Sequence, residues 1–163
     1  LEALLTHYAK TGLLWERIRM QGGAYGVSAS SNGTEGIVTF TTYRDPNSGK
    51  AFDVWEEVLE EIASKGIDKK SLEKSLIGVV GKDSRPLAPG TKGFVGFRRH
   101  LYAIRDKDRQ AKRDRMIVAA PEDIAETAAR LRGELGRGYR VILAGSSYLK
   151  ELEQGAQVTA LPI

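Results

Sequence analysis

An arginine and a tyrosine flank two adjacent glycines in the stretch Arg19-Met20-Gln21-Gly22-Gly23-Ala24-Tyr25-Gly26, which lies between a predicted helix and a predicted strand. The step from Arg19 to Tyr25 can span up to about 20 Å when extended. The chain must fold back for the guanidinium and the phenol to converge, and glycine enters positive φ more freely than other residues. An arginine fork and a tyrosine hydroxyl are suited to holding a carbonyl oxygen that gains negative charge. An ordinary helix end followed by a hairpin gives the same spacing, so the motif alone leaves both interpretations open.

Length and composition predict a single globular domain over residues 1–163. A chain of 163 residues can bury roughly 70% of the surface that its unfolded form exposes. Hydrophobic residues make up 41% and charged residues 28%, which is typical of folded proteins. No run approaches the roughly 20 apolar residues of a membrane-spanning helix. The chain contains no cysteine, which excludes disulfides and thiolate metal sites, and its first residues lack a secretory signal. We expect it to be a segment of a larger polypeptide.

Hydrophobic spacing and turn residues predict an alternating order of helices and strands. The predicted helices cover residues 2–19 with a break near Thr11 and Gly12, 51–62, 69–80 after a cap at Asp68, 94–104, 107–118, 121–135 with proline first, and 146–153. The predicted strands cover residues 24–29, 37–43, 139–144 and 158–161. Residues 81–93 are predicted to form a mobile loop. This order favours an α+β fold, in which an antiparallel-rich sheet is covered by helices on one face.

Three motifs in the first third of the chain resemble one protease family. The run 14–19, the Gly22–Gly26 stretch and the turn Thr42-Tyr43-Arg44-Asp45-Pro46-Asn47 follow each other as in the insulinase/pitrilysin family of zinc metallopeptidases. The similarity is to the presequence-protease branch and to the last of its four repeated domains. It continues through residues 97–101 and 108–113 and covers most of residues 13–145. The resemblance implies part of a metallohydrolase-type domain, at the C-terminal end of a larger multidomain peptidase.

The resemblance also implies roles for the residues of the glycine motif. In this family the arginine and the tyrosine reach from the C-terminal half of the protein to the zinc site of the N-terminal half. Arg19 and Tyr25 are therefore expected to be catalytic. The expected substrate-binding turn, in which the glycines shape the backbone, consists of Gly22, Gly23, Ala24 and Gly26.

The sequence predicts no metal bound by this chain. The family's zinc motif, H-x-x-E-H, is absent, and the two histidines, His7 and His100, lie far apart without a second histidine at helical spacing. The implied zinc belongs to the complete enzyme and lies outside this chain. The implied partners are peptide substrates and the N-terminal catalytic half of the same polypeptide. The expected location is the cytoplasm of a bacterium or an organelle of a eukaryote.

Two other function classes remain open. A non-catalytic scaffold of the same fold would keep the motif without its chemistry. A nucleic-acid-binding domain would use the region 98–115, which holds eight lysines and arginines against three aspartates, but no recognition motif accompanies it, which favours a solvated helix face. Arg44 and Asp45 are interpreted as a pair that fixes a turn and caps the following helix.

Overall fold

The computed structural model describes residues 1–152, which are mostly helical with one two-stranded antiparallel sheet. The helices are α1 (Glu2–Thr11), α2 (Ser48–Lys65), α3 (Lys69–Asp83), α4 (Pro89–Leu101), α5 (Asp106–Ile117), α6 (Pro121–Glu134) and α7 (Ser146–Leu152). A π-helix covers Trp15–Gln21, and a 3₁₀ turn covers Leu135–Arg137. The strands are β1 (Gly26–Asn32) and β2 (Ile37–Tyr43).

The two strands form a hairpin with one face turned to the helices. The register pairs Gly26 with Tyr43 at the base and Asn32 with Ile37 at the tip. Because side chains alternate along a strand, Val27 and Ala29 are buried on one face. On the same face Phe40 stacks on Trp55 of α2, with ring centroids 5.7 Å apart. The outward face carries small polar side chains, namely Ser28, Ser30, Thr39 and Thr41.

The core joins this hairpin to α1, α2 and α6, with further buried side chains from α3 (Leu72) and α5 (Met116). Its largest fully buried side chains are Leu4, Leu5, Leu14, Val58, Leu59, Ile62 and Ile124. Ion pairs at the rim reinforce the same packing: Arg17 of the π-helix pairs with Glu61 of α2, and Arg132 of α6 binds Glu60 of α2 at 2.9 Å. The pKa of Glu61 is held below its ordinary value by hydrogen bonds from Lys65 and Arg17. The hairpin base therefore rests on a tightly packed support.

Several sequence predictions are confirmed. Residues 1–152 show the mixed helix and strand content of an α+β fold, with two strands in the sheet. The first helix is interrupted at Gly12. Asp68 caps α3 by accepting the Ser71 N–H at 3.0 Å, and Pro121 occupies the first turn of α6. Each of these positions carries a strong local signal, so the sequence suffices to place it.

Two predictions are wrong. The loop expected at 81–93 shrinks to residues 84–88, because α3 continues to Asp83 and α4 already begins at Pro89. The strand expected at 139–144 is not formed, and Tyr139, Val141 and Leu143 are 100%, 83% and 83% exposed. A strand needs a hydrogen-bonded neighbour, and among the described residues this segment has none. The strand predicted at 158–161 lies outside the described residues.

The last helix contributes a long-range cap to α2. The Tyr148 hydroxyl accepts the Gly49 N–H at 3.3 Å and lies 3.2 Å from the Ser48 hydroxyl, which donates to it.

Within residues 1–152, no helix has the length and apolar character needed to cross a bilayer.

Candidate functional site

The glycine turn ends the π-helix with two hydrogen bonds that each span one residue more than the bonds that usually close an α-helix. The Gly23 N–H donates to the Arg19 carbonyl at 3.2 Å, and the Ala24 N–H donates to the Ile18 carbonyl at 3.1 Å. In the Schellman motif that closes many α-helices, the equivalent bonds are each one residue shorter. A π-helix holds an extra residue in each hydrogen-bonded turn, which explains the longer steps. The chain then leaves the helix directly into β1.

The two glycines are required for different reasons. A Cβ at Gly22 would lie 2.6 Å from the Ile18 carbonyl oxygen and 3.0 Å from that of Arg17, and both are backbone atoms. Gly23 has φ of 78°, in the left-handed region that favours glycine. Ala24 is only 3% exposed, so the accessible part of the turn lies at the flanking Gly23 and Tyr25. Gly26 begins β1 opposite Tyr43.

Arg19 lies against an aromatic side chain of its own helix. Its guanidinium carbon is 3.9 Å from the centre of the Trp15 ring, which is a close cation–π contact. Within residues 1–152 Arg19 forms no salt bridge. Its donors are therefore not neutralised by a carboxylate in that part of the chain.

Tyr25 belongs to a separate cluster at the base of the hairpin. Its side chain is 64% exposed, and its ring meets the Tyr43 ring edge to face at a centroid distance of 6.0 Å. The Arg44 guanidinium carbon lies 5.7 Å from the Tyr25 ring centre and 5.4 Å from the Tyr43 ring centre. The Tyr25 N–H donates to the Arg44 carbonyl at 3.2 Å. No hydrogen bond engages the Tyr25 hydroxyl within residues 1–152, which leaves it available to a ligand.

The turn after β2 is tied back to the glycine turn by an asparagine. The Asn47 side-chain amide donates to the Gly22 carbonyl at 3.0 Å. Asp45 does not pair with Arg44; its Oδ1 accepts the Asn47 N–H at 2.8 Å. The predicted turn-fixing role is therefore confirmed for Asp45, whereas the prediction that this pair caps α2 is wrong, because Asn47 occupies the N-cap position. Asn47 occupies the N-cap position of α2 but makes no side-chain cap hydrogen bond there.

A small cavity of about 180 Å³ lies beneath these two turns. Its lining consists of Arg17, Ile18, Gly22, Asp45, Asn47, Lys50, Ala51 and Val54. The Asp45 Oδ2 atom is buried without a hydrogen-bond partner among the described residues.

The structure keeps the predicted site residues on one short segment but gives them different neighbours. Arg19 contacts Trp15, whereas Tyr25 contacts Tyr43 and Arg44. Among residues 1–152, no hydrogen bond or aromatic contact joins Arg19 to Tyr25. The half-buried Arg19, the exposed Arg44 and the free Tyr25 hydroxyl can each donate a hydrogen bond to an oxygen that gains negative charge.

Sequence reasoning missed three neighbours of this site. Trp15 lies four residues before Arg19, a spacing that brings side chains together on a helix. This spacing is sufficient to predict their contact. Tyr43 and Asn47 were identified only as parts of a turn. Their contacts with Tyr25 and Gly22 depend on the hairpin register, which the sequence does not give.

No metal site is found in the described part of the chain. Residues 1–152 contain no group of three or more His, Asp and Glu side chains that could hold a metal ion. His7 packs between α1 and α3, beside Gly78. Burial, with further contributions from Lys10 and Lys82, lowers the His7 pKa below its ordinary value. His100 lies on the exposed surface of α4.

The basic region at 98–115 is partly occupied by contacts within the fold. Arg109 and Arg113 of α5 both bind Asp83 of α3, at 3.4 Å and 3.1 Å. Two arginines of the region proposed for nucleic-acid binding therefore pair with a carboxylate of a neighbouring helix.

Comparison with known proteins defines the class to which this chain belongs. The family model of the PreP C-terminal domain matches residues 2–147. The chain belongs to this family, the C-terminal domain of presequence-protease-type proteins of the insulinase family.

Similar proteins include several presequence proteases. Presequence protease 1, chloroplastic/mitochondrial, from Arabidopsis thaliana is 29% identical over 133 residues, which are 82% of this chain and 12% of the relative. Mitochondrial presequence protease from Drosophila melanogaster is 35% identical over 109 residues, 66% of this chain and 10% of the relative. The Schizosaccharomyces pombe protein of the same name is 25% identical over 147 residues, 90% of this chain and 14% of the relative. The chain thus spans a small fraction of the length of the curated relatives it matches.

Proposed function

We propose that this chain is the C-terminal part of a zinc-dependent metalloendopeptidase that degrades unfolded peptides in a closed chamber. Residues 1–163 form one metallohydrolase-type domain of that larger protein, and the N-terminal half of the same polypeptide holds the metal. The observation that carries the proposal is the exposed Tyr25, whose hydroxyl accepts and donates no hydrogen bond within residues 1–152. Family membership supports the assignment to proteolysis, since the named relatives are presequence proteases.

The division of labour follows from the residues that this chain contains. Zinc, bound outside the chain, supplies an activated water for attack on the peptide bond. Tyr25 donates its hydroxyl proton in a hydrogen bond to the carbonyl oxygen of the scissile bond as that oxygen gains charge. Arg19 donates to the same oxygen or to a neighbouring substrate carbonyl. Such donors accelerate the reaction because they bind the charged oxygen more strongly than the neutral one.

The glycine turn gives the two donors a rigid base. Gly22 and Gly23 allow the helix to end abruptly, and Asn47 fixes the carbonyl of Gly22. The Gly26 backbone fixes the start of β1 opposite Tyr43. The turn from Gly22 to Gly26 meets substrate through the backbone of its glycines, because Ala24 is buried.

Replacing the proposed donor tests the assignment. In the complete polypeptide, we expect Tyr25→Phe to lower kcat about 10²–10³-fold, the typical cost of losing one oxyanion donor, while zinc content stays unchanged. Steady-state kinetics on an unfolded peptide and metal analysis measure the two quantities. Tyr102→Phe is the matched control, since it removes an exposed tyrosine hydroxyl at the end of α4 and should leave kcat unchanged.

An unchanged kcat for Tyr25→Phe would contradict the assignment and favour the scaffold of the same fold. The chain of residues 1–163 alone should hydrolyse no peptide, with or without added zinc. Hydrolysis by that chain would contradict the proposed division of labour.

A further inference from the structure

Arg44 combines a rare backbone conformation with an exposed position. Its φ is 47°, in the left-handed region that residues other than glycine and asparagine seldom adopt. Such a conformation persists where the surroundings impose it, and it clusters at functional sites. The contact that imposes this conformation is a hydrogen bond, in which the Arg44 carbonyl accepts the Tyr25 N–H at 3.2 Å.

The Arg44 side chain contacts the same tyrosine from another direction. Its guanidinium carbon lies 5.7 Å from the Tyr25 ring centre and 5.4 Å from that of Tyr43. The two rings meet at an interplanar angle of 76°. Among the described residues, the Arg44 guanidinium has no carboxylate partner. Its charge lies instead beside the two aromatic rings.

The arginine therefore holds an otherwise weakly held tyrosine. Tyr25 is 64% exposed, and within residues 1–152 its hydroxyl has no hydrogen bond to fix the ring. A cation placed over an aromatic ring attracts it, and Tyr43 blocks a further direction of movement. A glycine at position 44 would adopt the same φ without strain, so the side chain is the feature that arginine adds at this position.

We propose that Arg44 is a positioning residue that orients the Tyr25 ring for its role as hydrogen-bond donor. This inference rests on the proposed function of Tyr25. A misplaced catalytic group is costly, since a shift of about 1 Å can reduce a rate about 10²-fold.

The substitution Arg44→Gly separates orientation from stability. In the complete polypeptide we expect kcat to fall about tenfold or more, with KM unchanged and with an unfolding temperature equal to or above that of the wild type, because the strained φ is relieved. Arg44→Lys should retain part of the rate, since lysine also forms cation–π contacts. Arg85→Gly, which removes an exposed loop arginine, is the matched control and should leave both kcat and KM unchanged.

A double variant tests whether Arg44 acts through Tyr25. If it does, Arg44→Gly should have little further effect on kcat in a Tyr25→Phe background, since coupled residues are not additive. A fully additive loss would overturn the inference. A raised KM with unchanged kcat for Arg44→Gly would also overturn it, and would assign Arg44 to direct substrate binding instead.

A spectroscopic measurement separates this inference from the proposed function. With 3-fluorotyrosine incorporated, the ¹⁹F resonance of Tyr25, assigned by its loss in Tyr25→Phe, should shift and narrow in Arg44→Gly as the ring gains freedom. An unchanged resonance with wild-type kcat in Arg44→Gly, alongside a slow Tyr25→Phe, would reject Arg44 as a positioning residue and leave the proposed function standing. A wild-type kcat in Tyr25→Phe would reject the proposed function whatever the resonance shows.

Discussion

The tip and the base of the β1–β2 hairpin close the same pair of strands with different kinds of contact. At the tip, Asn32 accepts the Thr34 N–H at 3.1 Å and donates to Glu35 at 2.8 Å, so a short segment satisfies its own polar groups. At the base, the Asn47 amide reaches the Gly22 carbonyl from 25 positions away in the sequence. The Tyr25 N–H meets the carbonyl of Arg44.

The difference shows what each end is built to do. A turn that satisfies itself locally needs little from the rest of the protein. The base instead depends on the helix before β1 and the turn after β2, and it holds two exposed tyrosines and an exposed arginine. Side chains supported by distant segments are held in place more firmly than those on a free loop, which suits the base for a functional role.

The largest expected effect comes from crowding the base. A Cβ at Gly22 would lie within 3.0 Å of two backbone carbonyl oxygens. We expect Gly22→Ala to lower the free energy of unfolding by about 2–3 kcal/mol, as overpacking does. Urea unfolding measures this quantity. At the tip, Gly33→Ala is the matched control because its nearest neighbour is the end of the Lys112 side chain, 4.0 Å away. Equal losses at both sites would remove the distinction between base and tip.

A smaller effect is expected from the backbone at the tip. Gly36 has φ of 68° and open space around its Cβ position. Gly36→Ala should therefore cost about 1 kcal/mol through conformation alone. Gly36→Asn should cost less, since asparagine tolerates this region. If chemical denaturation shows that Gly36→Asn is less stable than Gly36→Ala, the backbone conformation is not the cause of the loss.

The smallest effect is expected from the asparagine that connects the two turns. Asn47→Ala removes one hydrogen bond to the Gly22 carbonyl, and we expect a loss of about 0.5–1 kcal/mol. Asn32→Ala at the tip should cost no more than this, because nearby water can replace a local bond on an exposed turn. Thermal unfolding of both variants provides the comparison. A larger loss for Asn32→Ala would show that the tip, rather than the base, limits hairpin stability.

Local signals were sufficient for most of the fold. The Asp68 cap, the proline of α6 and the break at Gly12 were all predicted, because each depends on residues close in sequence. The loop at 81–93 was overestimated because Pro86, Pro89 and Gly90 suggest a turn, whereas Pro89 and Gly90 form the first turn of α4. The strand at 139–144 failed for the opposite reason. Its continuous apolar run is typical of a buried strand, but pairing is a tertiary property that no local pattern supplies.

The site was predicted only in part for a related reason. Spacing identified Arg19 and Tyr25 as candidates, but it did not give their neighbours. The π-helical end of the first helix, and the cation–π contact of Arg19 with Trp15, depend on backbone geometry. The cluster of Tyr25, Tyr43 and Arg44 depends on strand register. A sequence motif therefore identifies the candidate donors, whereas their orientation requires the fold.

The contact between Arg19 and Trp15 makes the surroundings of Arg19 observable by intrinsic tryptophan fluorescence. The chain contains two tryptophans. Trp55 is enclosed by Phe40 and Phe52, whereas the Trp15 ring lies directly beside the guanidinium of Arg19. A peptide that draws this charge away changes the electric field on the Trp15 indole and hence its fluorescence. With Trp55 replaced by phenylalanine, the wavelength of the Trp15 emission maximum reports whether a peptide binds Arg19.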